Sequence, residues 1–170
     1  EECERAGLEV VLRIGPWAHG ECRNGGFPDW LLQKPFPLRC NNEEYLKLVR
    51  IWYGRIAEEV KGLFYKDGGC IVAVQLENEF VNDANHLAKL KELAIECGME
   101  APLFTVTGWN SANGARIPVD EVVPVFGGYP EAPWENHQNP LPPSVHYFFN
   151  RMRNDSAIGA DQIASKAADG

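Results

Sequence analysis

The 170 residues hold 16 Lys and Arg against 24 Asp and Glu, a net charge of −8, and 45% of them are hydrophobic. That is a globular composition, and an acidic balance without a local Lys/Arg cluster repels a phosphate backbone, so nucleic acid is not an expected partner. No apolar run approaches the ~20 residues of a membrane-spanning helix, and the opening EECERAGLEV lacks the basic and apolar regions of a secretion signal, so neither feature is expected.

In chain order, Gly7 to Ala18 (GLEVVLRIGPWA) begins with a β-branched apolar run and stops at Gly15-Pro16, the pattern of a strand buried on both faces. A Gly/Pro-rich loop, Asn24 to Pro28, follows. From Asn42 to Phe64 the apolar residues, among them Tyr45, Val49, Trp52, Tyr53, Ile56 and Val60, recur at steps of three and four. This predicts one helix with Asn41 or Asn42 as its N-cap. Lys66 to Gly69 is a turn, and Cys70 to Phe80 (CIVAVQLENEF) is a second buried strand that ends in polar residues. Asp83 is placed to cap a helix that turns Leu87, Leu90, Leu93, Ala94 and Cys97 inward, with Gly98 as its left-handed stop. Pro102 to Trp109 and Glu121 to Tyr129 are a third and a fourth strand, and Val145 to Met152 is a further helix. The five cysteines form no C-x-x-C pair, which fits neither a disulfide framework nor a zinc site; buried or free thiols are expected, with one disulfide left open.

Alternating short strands and helices predict an α/β fold with a parallel sheet. Four strands are too few for a closed eight-stranded barrel, and no phosphate-binding glycine loop marks a doubly wound sheet, so periodicity leaves both architectures open. The chemistry gathers at strand ends, where α/β enzymes carry their sites: His19 and Glu21 after the first strand, Gln75, Glu77, Asn78 and Glu79 after the second, Thr107, Trp109 and Asn110 after the third. Two carboxylates at the end of an apolar strand are costly to desolvate without a purpose or a partner. The bland alternative pairs either Glu with a nearby arginine such as Arg13. Acidic and aromatic residues together suit sugar chemistry, in which one carboxylic acid protonates a glycosidic oxygen, a second carboxylate attacks the anomeric carbon, and aromatic rings stack on the pyranose. Trp17, Trp109, Tyr129 and Trp134 are the candidates for stacking, each of them equally suited to core packing.

The segment GGCIVAVQLENEF resembles the signature of glycoside hydrolase family 35, the β-galactosidases, in which a hydrophobic strand leads to Gln-x-Glu-Asn-Glu and an aromatic residue. RIGPWAHGECRNGGFPDWLL resembles the preceding strand and loop of the same family, and the two motifs stand in the right order about 50 residues apart. The resemblance implies a partial (β/α)₈ TIM barrel, about strands 3 to 6, with residues 1–170 as part of one catalytic domain. It implies a retaining enzyme that releases terminal β-galactose from a carbohydrate substrate. Residue by residue, Glu79 matches the general acid/base, Asn78 the residue that contacts the sugar 2-hydroxyl, and Glu21 the acid that holds galactose hydroxyls. Trp17 and Trp109 are taken as further substrate-binding residues. Trp17 stands where Tyr is usual, and His19-Gly20-Glu21-Cys22 replaces a Cys-Ala-Glu-Trp-like run. The family nucleophile ends the seventh strand and has no counterpart here, Glu131 and Glu135 lying one strand too early, so the isolated chain is expected to be inactive. The two-carboxylate mechanism calls for no metal and no organic cofactor. The rival from another class is a non-catalytic carbohydrate-binding protein on a degenerate barrel. Sequence alone assigns neither compartment nor oligomeric state.

Overall fold

A computed structural model describes residues 1–80, 82–106 and the backbone of 123–125. Its strands are β1 (Val10–Gly15), β2 (Ile71–Leu76), β3 (Leu103–Val106) and β4 (Val123–Val125), and its helices are α1 (Glu2–Arg5), α2 (Asp29–Leu32), α3 (Glu43–Glu59) and α4 (Ala84–Glu96). The strands pair in parallel in strict chain order, β1-β2-β3-β4, so their carboxyl ends share one rim. A doubly wound sheet would reverse direction at a switch point, and none occurs among these strands. The expected helix at 145–152 and the loops beyond β3 lie outside the described residues.

The long helices begin where their caps allow. The Asn42 side chain accepts hydrogen bonds from the Glu44 and Tyr45 amides, and the Asp83 side chain accepts one from the Asn85 amide, which satisfies donors that a first helical turn leaves unpaired. α3 stops at Glu59, earlier than the apolar stripe suggests. Gly62 there adopts a φ of +79, and Phe64 leaves the helical path to bridge Ile71 at the start of β2.

One core joins Ile14, Val74, Leu76 and Leu103 of the sheet to Tyr45, Val49 and Tyr53 of α3 and Leu90, Leu93 and Ala94 of α4. α3 is also stitched to the edge strand, Trp52 Nε1 donating to the Ile14 carbonyl (2.9 Å) and Tyr53 Oη to that of Gly15 (2.8 Å). β1 departs from the expected two-faced burial. Val10, Leu12 and Ile14 pack with the core, whereas Val11 and Arg13 are exposed, because the helices cover one face of the sheet and no described residue packs over the other at β1. The five thiols are all free, Cys3 and Cys22 exposed and the other three half-buried. No helix among the described residues is long and apolar enough to cross a membrane.

Position 86 of α4, absent from the predicted inward set, is a fully buried histidine. Its Nδ1 lies 2.9 Å from Asn41 Oδ1, so Nδ1 carries the hydrogen and Nε2 keeps a buried lone pair with no partner among the described residues. Desolvation, partly opposed by Asp83 and reinforced by Arg39, pulls its pKa from 6.5 to about 4. A base with a depressed folded pKa leaves the unfolded chain binding the extra proton, so its contribution is complete above pH 6.5 and is lost as pH falls towards 4. The loss amounts to roughly 3 kcal/mol at the acid end. His86→Gln is therefore expected to flatten the fall in chemical-denaturation stability between those limits; an unchanged slope would remove His86 from the acid response.

Candidate active site

The rim after β2 is built by a backbone that turns sharply twice. Glu77 and Glu79 both take left-handed conformations, with φ of 54° and 50°, which cost non-glycine residues about 1–3 kcal/mol each. Neighbouring strands hold the turn on both sides. The Glu77 amide donates to the Gly15 carbonyl at the end of β1, and the Glu79 amide to the Val106 carbonyl at the end of β3, each at 2.8 Å. The buried Thr105 hydroxyl adds a 2.8 Å bond to the Leu76 carbonyl.

This geometry gives the two carboxylates opposite environments. The Glu77 side chain is wholly buried and gripped by Arg39, whose Nη2 stands 2.7 Å from Oε2 and whose Nε stands 3.3 Å from Oε1. Burial raises the Glu77 pKa, with the Arg39 guanidinium acting against that rise. Arg39 also donates to the Asn78 carbonyl at 3.2 Å and lies over the Trp17 and Phe80 rings, 4.6 and 5.2 Å from their centroids. A charge pair boxed in by aromatics is a support for the turn, and it leaves Glu77 no free oxygen to offer a ligand. The alternative that a glutamate pairs with an arginine thus holds for Glu77, with Arg39 as the partner and not Arg13, the example it named. Arg13 instead donates to Asn78 Oδ1 (2.9 Å) and the Ala18 carbonyl (3.1 Å). Nothing in the Pro35-Phe36-Pro37-Leu38-Arg39 loop marks Arg39 beforehand, since the contact joins residues 38 positions apart.

Glu79 is the open carboxylate, its side chain 28% exposed. Its Oε2 lies 3.0 Å from His19 Nε2, and the other nitrogen of His19 contacts the carboxylate of Glu21, which is largely exposed. The two predicted acids of different strand ends therefore meet across one imidazole. Asn78 is buried beside them; its Oδ1 accepts from Arg13 and, at 3.0 Å, from Gln75 Nε2, which orients the amide. Gln75 also donates to the Glu77 carbonyl at 2.8 Å.

Trp17 is half-buried and packs edge-on to Phe27, ring centroids 5.5 Å apart. Gly25, at a φ of +65°, lies so close to that indole that a Cβ there would run into the ring. With Arg39 over it as well, the indole is chiefly a packing element of the rim. Trp109, Tyr129, Trp134, Glu131 and Glu135 lie outside the described residues. Among the described residues, no three His, Cys, Asp or Glu side chains converge as metal ligands.

The model of "Glycosyl hydrolases family 35" matches residues 1–149. The chain belongs to glycoside hydrolase family 35. Relatives in this family include Beta-galactosidase 8 of Oryza sativa subsp. japonica, 37% identical over 134 residues, and Beta-galactosidase 17 of Arabidopsis thaliana, 36% identical over 147. These alignments cover 74% and 82% of this chain and 20% of each relative. Beta-galactosidase of Homo sapiens is 39% identical over 108 residues, 60% of this chain and 16% of its own length. The chain thus spans about a fifth of the length of the family 35 relatives it matches.

Proposed function

We propose that this chain is the central sector, about the third to sixth strands, of a (β/α)₈ catalytic barrel, and that the completed barrel is a retaining β-galactosidase. Family membership and the unreversed parallel strand order support the barrel. The observation that carries the chemistry is the contrast within one motif: Glu77 is sequestered by Arg39, while Glu79 stands accessible on the rim beside Glu21.

Glu79 then acts as general acid, giving its proton to the departing glycosidic oxygen while a carboxylate outside this chain attacks the anomeric carbon. As a carboxylate it next takes a proton from the water that hydrolyses the glycosyl-enzyme. Glu21 accepts hydrogen bonds from galactose hydroxyls. Asn78, its Oδ1 already occupied by two donors, presents Nδ2 to the 2-hydroxyl. Trp17 shapes the wall of the sugar site and Trp109 supplies an aromatic face. No metal or organic cofactor enters this mechanism.

The test is product stereochemistry. A polypeptide that includes the nucleophile strand is expected to release β-galactose from a β-galactoside with the anomeric configuration retained, observed by NMR before mutarotation, while residues 1–170 alone release none. Inversion, or turnover by the isolated chain, would refute the assignment of an external nucleophile about 5 to 5.5 Å from Glu79.

A further inference from the structure

We infer that His19 is a positioning residue for the carboxyl group of Glu79. The inference rests on the acid/base role proposed for Glu79.

The geometry is specific. His19 is carried by the loop after β1 and is only partly exposed, its side chain retaining 34% of its accessible surface. Nε2 faces Glu79 Oε2 at 3.0 Å, and Nδ1 faces Glu21 Oε2. With Oε2 held, Oε1 is the oxygen left for the glycosidic oxygen of a substrate. A carboxyl group on a turn has two rotatable side-chain bonds beyond Cβ, and displacement by 1 Å can cost on the order of 10²-fold in rate.

With His19 Nε2 holding Oε2, the carboxyl group gives its proton to the departing oxygen from Oε1 and takes one back there from the attacking water.

Other charged groups of the rim are engaged elsewhere. Arg13 of β1 is bonded to Asn78 and Ala18, and Arg39 and Glu77 hold each other. On the β3 side, Glu79 meets the Val106 carbonyl through its own amide. His19 is therefore the described side chain bonded to the Glu79 carboxylate, and its removal leaves Glu79 and Glu21 without the group between them.

The test uses His19→Ala, His19→Gln and Glu79→Gln in the full-length protein, each assayed with a galactoside of a poor and of an activated leaving group. His19→Ala is expected to lower kcat on the poor leaving group about 10- to 100-fold with KM little changed, and to lower it less on the activated one. His19→Gln, which keeps an N–H donor at this site, is expected to recover much of kcat; if the Ala variant does not fold, His19→Phe, which fills the space without a donor, carries the loss. No rescue by His19→Gln, or equal losses on the two substrates, would overturn the positioning role. If Glu79→Gln shows the leaving-group dependence while the His19 variants do not, only His19 is misassigned; if Glu79→Gln shows none, the acid/base role falls with it.

Discussion

Glu79→Gln in the full-length protein is expected to reduce kcat/KM about 10²- to 10⁴-fold on galactosides with poor leaving groups, and far less on activated aryl galactosides. The amide is nearly isosteric and keeps an acceptor for His19, but it has no proton to give. Where the departing oxygen is strongly basic, that proton limits bond cleavage; where it is already a good leaving group, the proton matters little. The second half-reaction also loses its base. Activated substrates should therefore build up the glycosyl-enzyme, and azide, a nucleophile that needs no deprotonation, should speed its breakdown. The measurement is steady-state kinetics across a leaving-group series with and without azide. A uniform loss across the series would make Glu79 a structural residue of the turn.

Arg39→Met is expected to cost about 3–5 kcal/mol of folding stability at neutral pH, because it leaves the Glu77 carboxylate buried with its partner gone. Met fills much of the space between the Trp17 and Phe80 rings, so the cost is chiefly electrostatic. The sign of the pH dependence follows from Glu77. Burial already raises its pKa, and loss of the guanidinium removes the main influence that lowers it. A carboxyl with a raised folded pKa favours the folded state as it takes up its proton, so the deficit should shrink as pH falls through that raised pKa. The double variant Arg39→Met, Glu77→Gln should recover part of the loss at pH 7. Chemical denaturation of the three variants across pH checks this. A deficit that ignores both pH and the second substitution would mean that lost packing dominates.

Much of the scaffold was legible along the chain because it is local. The three-and-four spacing of Tyr45, Val49 and Tyr53, the cap residues Asn42 and Asp83, and the β-branched runs at Val10 and Ile71 all act within a few residues, and each builds the element its pattern implies, although β1 is buried on one face rather than two. The family was legible for the same reason, since each motif is contiguous. The ends of elements were harder: α3 closes at Glu59 because Phe64 is wanted at the sheet, a demand made by Ile71 seven residues further on.

Local sequence placed the acids after β2 and Glu21 after β1, and the motif resemblance singled out Glu79; residue types alone had no means to say which of two glutamates two residues apart is buried. Tertiary structure decided that. The answer depends on Arg39, brought across 38 positions to Glu77, and on His19, brought across 60 to Glu79. Such contacts are set by the order of parallel strands and the path of a loop, neither of which leaves a periodic trace in the residues concerned. The same holds for Val11 and Arg13, whose exposure depends on what stands over that face of the sheet rather than on the strand itself. An apolar run specifies that a strand forms, while its burial is the property of its neighbours.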